Sequence, residues 1–131
     1  MTQRYVALVH SYWTAYKRAE GDVPTFARIC GYAQVSGVDP PACRTRIAAI
    51  LPPHEKFLSD LDTVPTPPKF AADDRAFRTQ LPLAIAHLKA TMAAVDAGNA
   101  QQVSDEFNAY VNAMVPLFPN LDRVDPSISH D

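Results

Sequence analysis

The chain has 131 residues, 47% of them apolar and 20% charged, with a net charge of −2. That length fits one domain with its own core, and that composition excludes wholesale disorder. The small net charge excludes a broad electrostatic footprint for nucleic acid or an anionic membrane. Twelve prolines are about twice average usage, while only four glycines occur, so the chain is not a flexible low-complexity one.

Taken from the N-terminus, "MTQRYVALVHSYW" alternates apolar and polar residues and lacks a small-residue cleavage site, so it does not read as a signal peptide. Tyr5, Val6, Leu8, Val9, Tyr12, Trp13 and Tyr16 recur at spacings of three and four, which predicts a first helix over residues 2–20. Gly21 offers its stop. Asp22 and Pro24 then open a short second helix carrying Phe26, Ile29, Cys30 and Ala33. "VSGVDPP" breaks it.

A third helix opens at Asp39, with Pro40 and Pro41 in its first turn, where a missing N–H costs nothing. Its apolar phase runs through Cys43, Ile47, Ile50, Leu51, Phe57, Leu58, Leu61 and Val64. The phase survives Pro52 and Pro53, which predicts one kinked helix or two nearly coaxial ones. "TVPTPPKFA" reads as a rigid connection. A fourth helix from about Asp73 to Ala97 carries Phe77, Leu81, Ile85, Leu88, Met92 and Val95, and Gly98 stops it. Asn99 with Gln102 forms a capping-box-like start for a fifth helix, which Pro116 should end. No strand pattern competes. The expected fold is therefore an all-α, antiparallel four-helix bundle with one additional short helix, proline-kinked. It occupies residues 1–118, and residues 119–131 form a polar C-terminal tail.

Cys30 and Cys43 sit on consecutive predicted helices with twelve residues between them. A disulfide there is geometrically easy and would stabilise by roughly 3 kcal/mol through loop closure. Two free core thiols, or a metal or nucleophilic role, are the alternatives. Against a metal, there is no CxxC or HxxxH and the four histidines are scattered. Glycine-dependent phosphate loops and nucleophile elbows are impossible with glycine only at 21, 31, 37 and 98. Three glutamates and no ExxH exclude a di-iron carboxylate bundle, and no CxxCH attaches haem.

Three features are candidate sites. Tyr5, Tyr12 and Tyr16 share one line on helix one with Trp13 beside it, either a core stripe or a ligand-lining wall. Pro52, Pro82 and Pro116 fall at similar heights, so a splayed bundle could open there between Phe57, Phe77, Leu81 and Val111. His54 and His87 lie near that height, either as rim histidines or as a haem-ligating pair. Glu20, Asp73 and Asp74, interspersed with basic residues, read as solvated faces.

The segment "PPACRTRIAAILPPHEKFLSDLDTVPTPPKFAADDRAFRTQLP" resembles small secreted or lipid-anchored helical proteins of unknown function from mycobacteria and related actinobacteria. Cys43, Leu58, Leu61, the "TPPKF" turn at residues 66–70 and the Leu81–Pro82 pair carry it. The resemblance covers about a third of the chain and brings no activity or functional residue. That family begins with an export signal or lipobox, which this sequence lacks. The expectation is thus an extracytoplasmic, non-enzymatic domain without a cofactor, whose signal or anchor has been removed and which binds an unknown protein partner or scaffolds an envelope. A carrier of a small hydrophobic ligand, lipid-like or haem, is the second expectation. A hydrolase with a dispersed site is the third.

Overall fold

The computed structural model describes residues 2–128, and these form only helices and turns. In chain order the helices are α1 (Thr2–Glu20), α2 (Val23–Ile29), α3 (Pro40–Asp60), α4 (Ala71–Asp96), α5 (Ala100–Met114) and α6 (Phe118–Val124). Single 3-10 turns lie at Val35–Gly37, Pro68–Phe70 and Val115–Leu117.

Local chemistry sets these boundaries. The side chains of Asp22, Asp39 and Asn99 accept the N–H of Thr25, Ala42 and Gln102, capping α2, α3 and α5. Gly98, at φ +69°, ends α4. Its N–H reaches the Val95 carbonyl and the Asn99 N–H reaches that of Ala94, the paired bonds of a Schellman stop. Gly31 is needed for a second reason besides its φ of +79°: an added Cβ would sit 2.7 Å from a Val38 methyl and 2.9 Å from Ser104 Cβ.

The long helices pack in sequence neighbours, α1 on α3, α3 on α4 and α4 on α5. On α1 the buried residues are Tyr5, Val9, Tyr12, Trp13, Tyr16 and Glu20, one face at helical spacing. The sulfurs of Cys30 and Cys43 lie 2.05 Å apart, at disulfide distance, and tie the end of α2 to the first turns of α3. The Gly31 carbonyl accepts from Ser104 Oγ at 2.6 Å and Asn108 Nδ2 at 3.1 Å, which fastens the same corner to α5.

Three expectations are corrected. First, residues 118–124 are a helix rather than a polar tail: Leu121 and Val124 enter the core, and Pro119 sits in the first turn, where it costs no bond. The fifth helix does end at Met114, next to Pro116 as expected, and the proline sits in the 3-10 turn Val115–Leu117 that leads on into α6. The expected tail residues 129–131 lie outside the described residues. Second, the expected opening between Phe57, Phe77 and Leu81 is filled, while α3 is one continuous helix through Pro52 and Pro53, one of its two expected forms, and α4 continues through Pro82. Phe57, Phe77 and Leu81 are fully buried, and the Phe57 ring lies 4.1 Å from Tyr12 and 5.4 Å from Phe77. Third, Glu20, Asp73 and Asp74 are buried, because each has partners that replace water. Asp74 accepts from the Tyr5 hydroxyl at 2.7 Å and Arg78 Nε at 2.8 Å. Asp73 accepts from Asn120 and Arg123 of α6.

Candidate functional site

Four of the six predicted site residues meet. Tyr12 and Tyr16 of α1 flank His54 of α3, their ring centroids 5.7 Å and 4.8 Å from the imidazole, and Trp13 packs on both, 5.9 Å from Tyr12 and 4.9 Å from Tyr16. The other two do not join. Tyr5 lies about two turns before Tyr12, stacked on Phe70 and bonded to Asp74. His87 sits half-exposed on α4 with Nδ1 3.2 Å from Glu106 Oε2. Two participants, Tyr110 and Glu20, were not foreseen; the signal for them was phase, Tyr110 following Phe107 by three residues and Glu20 following Tyr16 by four.

The polar atoms form a chain with one direction. Tyr16 donates to Glu20 Oε2 at 2.6 Å, and Tyr110 donates to Tyr16 at 3.0 Å. A phenol has one proton to give, so Tyr110 must accept from His54 Nε2–H, 2.8 Å away. Nδ1 is then unprotonated and accepts from Tyr12, also at 2.8 Å. His54 is therefore neutral, as the Nε2–H tautomer. Burial alone pulls its pKa down to about 3. Burial likewise drives the phenols of Tyr12, Tyr16 and Tyr110 well above their ordinary value. At the chain's end, Lys17 Nζ donates to Glu20 Oε1 at 2.9 Å.

Both imidazole nitrogens of His54 are engaged, so neither is free for a haem iron. Each hydroxyl donor is used, so none is a poised nucleophile. A second histidine–carboxylate contact, His10 Nδ1 to Asp125 Oδ2 at 2.6 Å, has the wrong order for a triad. Ser127 Oγ donates to the same aspartate at 2.7 Å rather than to the histidine. Among the described residues no three His, Cys, Asp or Glu side chains converge to hold a metal.

The relay opens on a groove of about 260 Å³ between α1, α2 and α5. Trp13, Tyr16, Phe26, Phe107 and Tyr110 form its floor, with Lys17 and Glu20 at one edge. Among the described residues, five large apolar side chains are exposed, and three of them, Val23, Tyr32 and Val115, line this groove. A second trough, about 430 Å³, runs along the other flank of α1 against α3.

Fold and site together define an all-α domain with a disulfide-distance cysteine pair, a buried aromatic relay and open apolar grooves. Among the described residues no helix is long and apolar enough to cross a membrane. No protein-family model, curated protein or solved structure matches the chain.

Proposed function

We propose that this chain is a non-enzymatic interaction domain of an oxidising, extracytoplasmic compartment, built as an antiparallel bundle of its four long helices. Its docking surface is the α1/α2/α5 groove, which takes an apolar segment of a partner protein. The observation that carries the reading is the convergence of Val23, Tyr32 and Val115 on that one groove. Exposed apolar residues scattered singly need no explanation, but a cluster around an aromatic floor does. The Cys30–Cys43 pair supports the compartment, since disulfides persist where thiols are not kept reduced. The resemblance to exported helical proteins points the same way.

A photo-crosslinking residue placed at Val115, and separately at Leu83, tests this in cells that express the chain. Leu83 is as exposed as Val115 but lies outside the groove. The expected result is a discrete protein adduct from position 115 and none from position 83. Equal adducts from both positions, or none from 115, would overturn the reading.

A further inference from the structure

The trough on the other flank of α1 is separate from the docking groove and has a different character. Its long axis follows α1 from Arg4 to Ala15, a rise of about 16 Å. Along one wall Ala7, Ser11 and Ala15 are small and exposed, so the helix leaves a shelf there instead of filling it. Pro53 and Phe57 form the facing wall. The floor is the Tyr12–Phe57 stack, with planes only 4° apart. The Tyr12 hydroxyl is turned inward to His54, so the floor offers no hydrogen bond to an occupant. Between its charged ends the Ser11 hydroxyl is the one polar side-chain group the trough offers, so a polar molecule would be desolvated there with little compensation, whereas an alkyl chain loses nothing. The volume of about 430 Å³ falls within the roughly 300–1,000 Å³ of small-molecule sites.

Charge appears only at the rim, and it is unbalanced. Arg4, Lys56 and Asp60 line the trough, two cations against one anion. Lys56 and Asp60 pair along α3, an exposed i,i+4 contact that opens at little cost. No hydrogen bond or ion pair ties the Arg4 guanidinium to another described residue. A planar guanidinium with free donors is the side chain best shaped to hold a carboxylate by two bonds. An apolar trough with, at its end, an arginine that no described residue engages is complementary to a molecule with an alkyl tail and an anionic head.

We infer that the α1/α3 trough binds a single-chain anionic amphiphile, an alkyl carboxylate being its simplest form. The site opens at the height of Pro53 but lies outside the bundle, where the proline and the small residues of α1 leave room. The docking reading of the other groove is not needed for it.

The test is a titration of the isotope-labelled chain with dodecanoate below its micelle concentration, followed by amide NMR. Saturable shifts confined to residues 4–15 and 53–64, with one ligand per chain, are expected. Decanoate should bind more weakly, by up to about fifteenfold for two methylenes. Arg4→Glu should weaken dodecanoate by about tenfold or more and favour dodecyltrimethylammonium. Ser11→Trp, which fills the trough from an exposed position, should abolish binding while the melting curve is kept. Four results would overturn the inference: no saturation, shifts centred on the Val115 groove, equal affinity for the cationic amphiphile, or association with phosphatidylglycerol vesicles alone. If Ser11→Trp does not fold, the head-group preference of Arg4→Glu still decides the matter.

Discussion

His54 Nε2 lies 2.8 Å from the hydroxyl oxygen of Tyr110, 56 residues away in the chain, and the bond has one possible direction because Tyr110 spends its own proton on Tyr16. Three helices, α1, α3 and α5, are thus joined through one neutral imidazole. A proton added at Nδ1 would leave the Tyr12 hydroxyl without its acceptor. The groups facing His54 are the phenols of Tyr12 and Tyr16 from α1 and Tyr110 from α5. The nearest carboxylate on the relay, Glu20, stands two phenols away.

Acid should therefore unfold this protein through His54. The folded pKa is about 3, whereas an unfolded histidine sits near 6.5. Between those values the unfolded chain holds more protons, so stability is full above about 6.5 and falls as pH drops toward 3. The loss from about pH 7 to about pH 4 should be on the order of 3 kcal/mol. Asp22, Asp96 and Asp125, whose pKa values are lowered, lose stabilisation as well, but only below their ordinary carboxylate value of 3.8. Urea midpoints across this range should slope for the native chain and flatten for His54→Gln. A slope unchanged in the variant would assign the effect elsewhere.

Asp73 tethers α6. It is buried in the first turn of α4, and its Oδ1 accepts from Asn120 Nδ2 at 2.8 Å and Arg123 Nε at 2.9 Å. Asp73→Ala should cost about 1–3 kcal/mol, since both bonds are charge-assisted and a helix-dipole contact goes with them. Hydrogen exchange should quicken over residues 118–124 well before it quickens in α4. Uniform exchange along both helices would mean that the Leu121 and Val124 contacts hold α6 without the aspartate.

The helices of this fold were legible where a residue type has one physical use. Asp22, Asp39, Asn99 and Gly98 cap because their side chains or backbone freedom suit little else in those places. The Tyr12–Trp13–Tyr16 stripe was legible from periodicity, and the cysteine spacing from loop closure. Burial of Asp73 and Asp74 was not, because a charged residue reads as solvated until its partner is seen. Asp73's partners lie 47 and 50 residues away and Tyr5 lies 69 from Asp74. Helix α6 was illegible for another reason: seven residues with two core positions are too short to show a period. The prolines misled because Pro52, Pro53 and Pro82 were weighed by the bonds they remove and not by the aromatic rings available to fill the space.

Trp13 packs between two features of the site. Its ring stacks on Tyr16 at 4.9 Å and meets Phe118 edge-on at 6.0 Å, and it is 4% exposed. Trp13→Ala should destabilise by about 3–5 kcal/mol, the cost of a buried aromatic truncated to alanine. Denaturant unfolding followed by far-UV circular dichroism measures it without relying on the lost fluorophore. A cost near zero would mean that α1 does not dock by this face.

The last prediction concerns the cysteine pair. Helix α2 has seven residues, of which only Phe26 and Ile29 are buried, so its own packing is slight and an isolated helix of that length would not persist. Three ties hold it. The sulfur bond joins Cys30 to Cys43, the Gly31 carbonyl takes two donors from α5, and Asp39 N–H donates to the Ile29 carbonyl at 2.9 Å. Thiol titration of the unreduced, denatured protein should find no free thiol. Cys30→Ala with Cys43→Ala should cost about 3 kcal/mol by returning loop entropy to the unfolded chain. The damage should also be local, since Phe26 and Tyr32 line the α1/α2/α5 groove and both flank the released corner. Amide exchange in residues 23–32 should therefore rise more than in α4, and a Val115 crosslink should fade in parallel. Two reactive thiols per native chain would refute the bridge, and with it the main structural argument for an oxidising compartment.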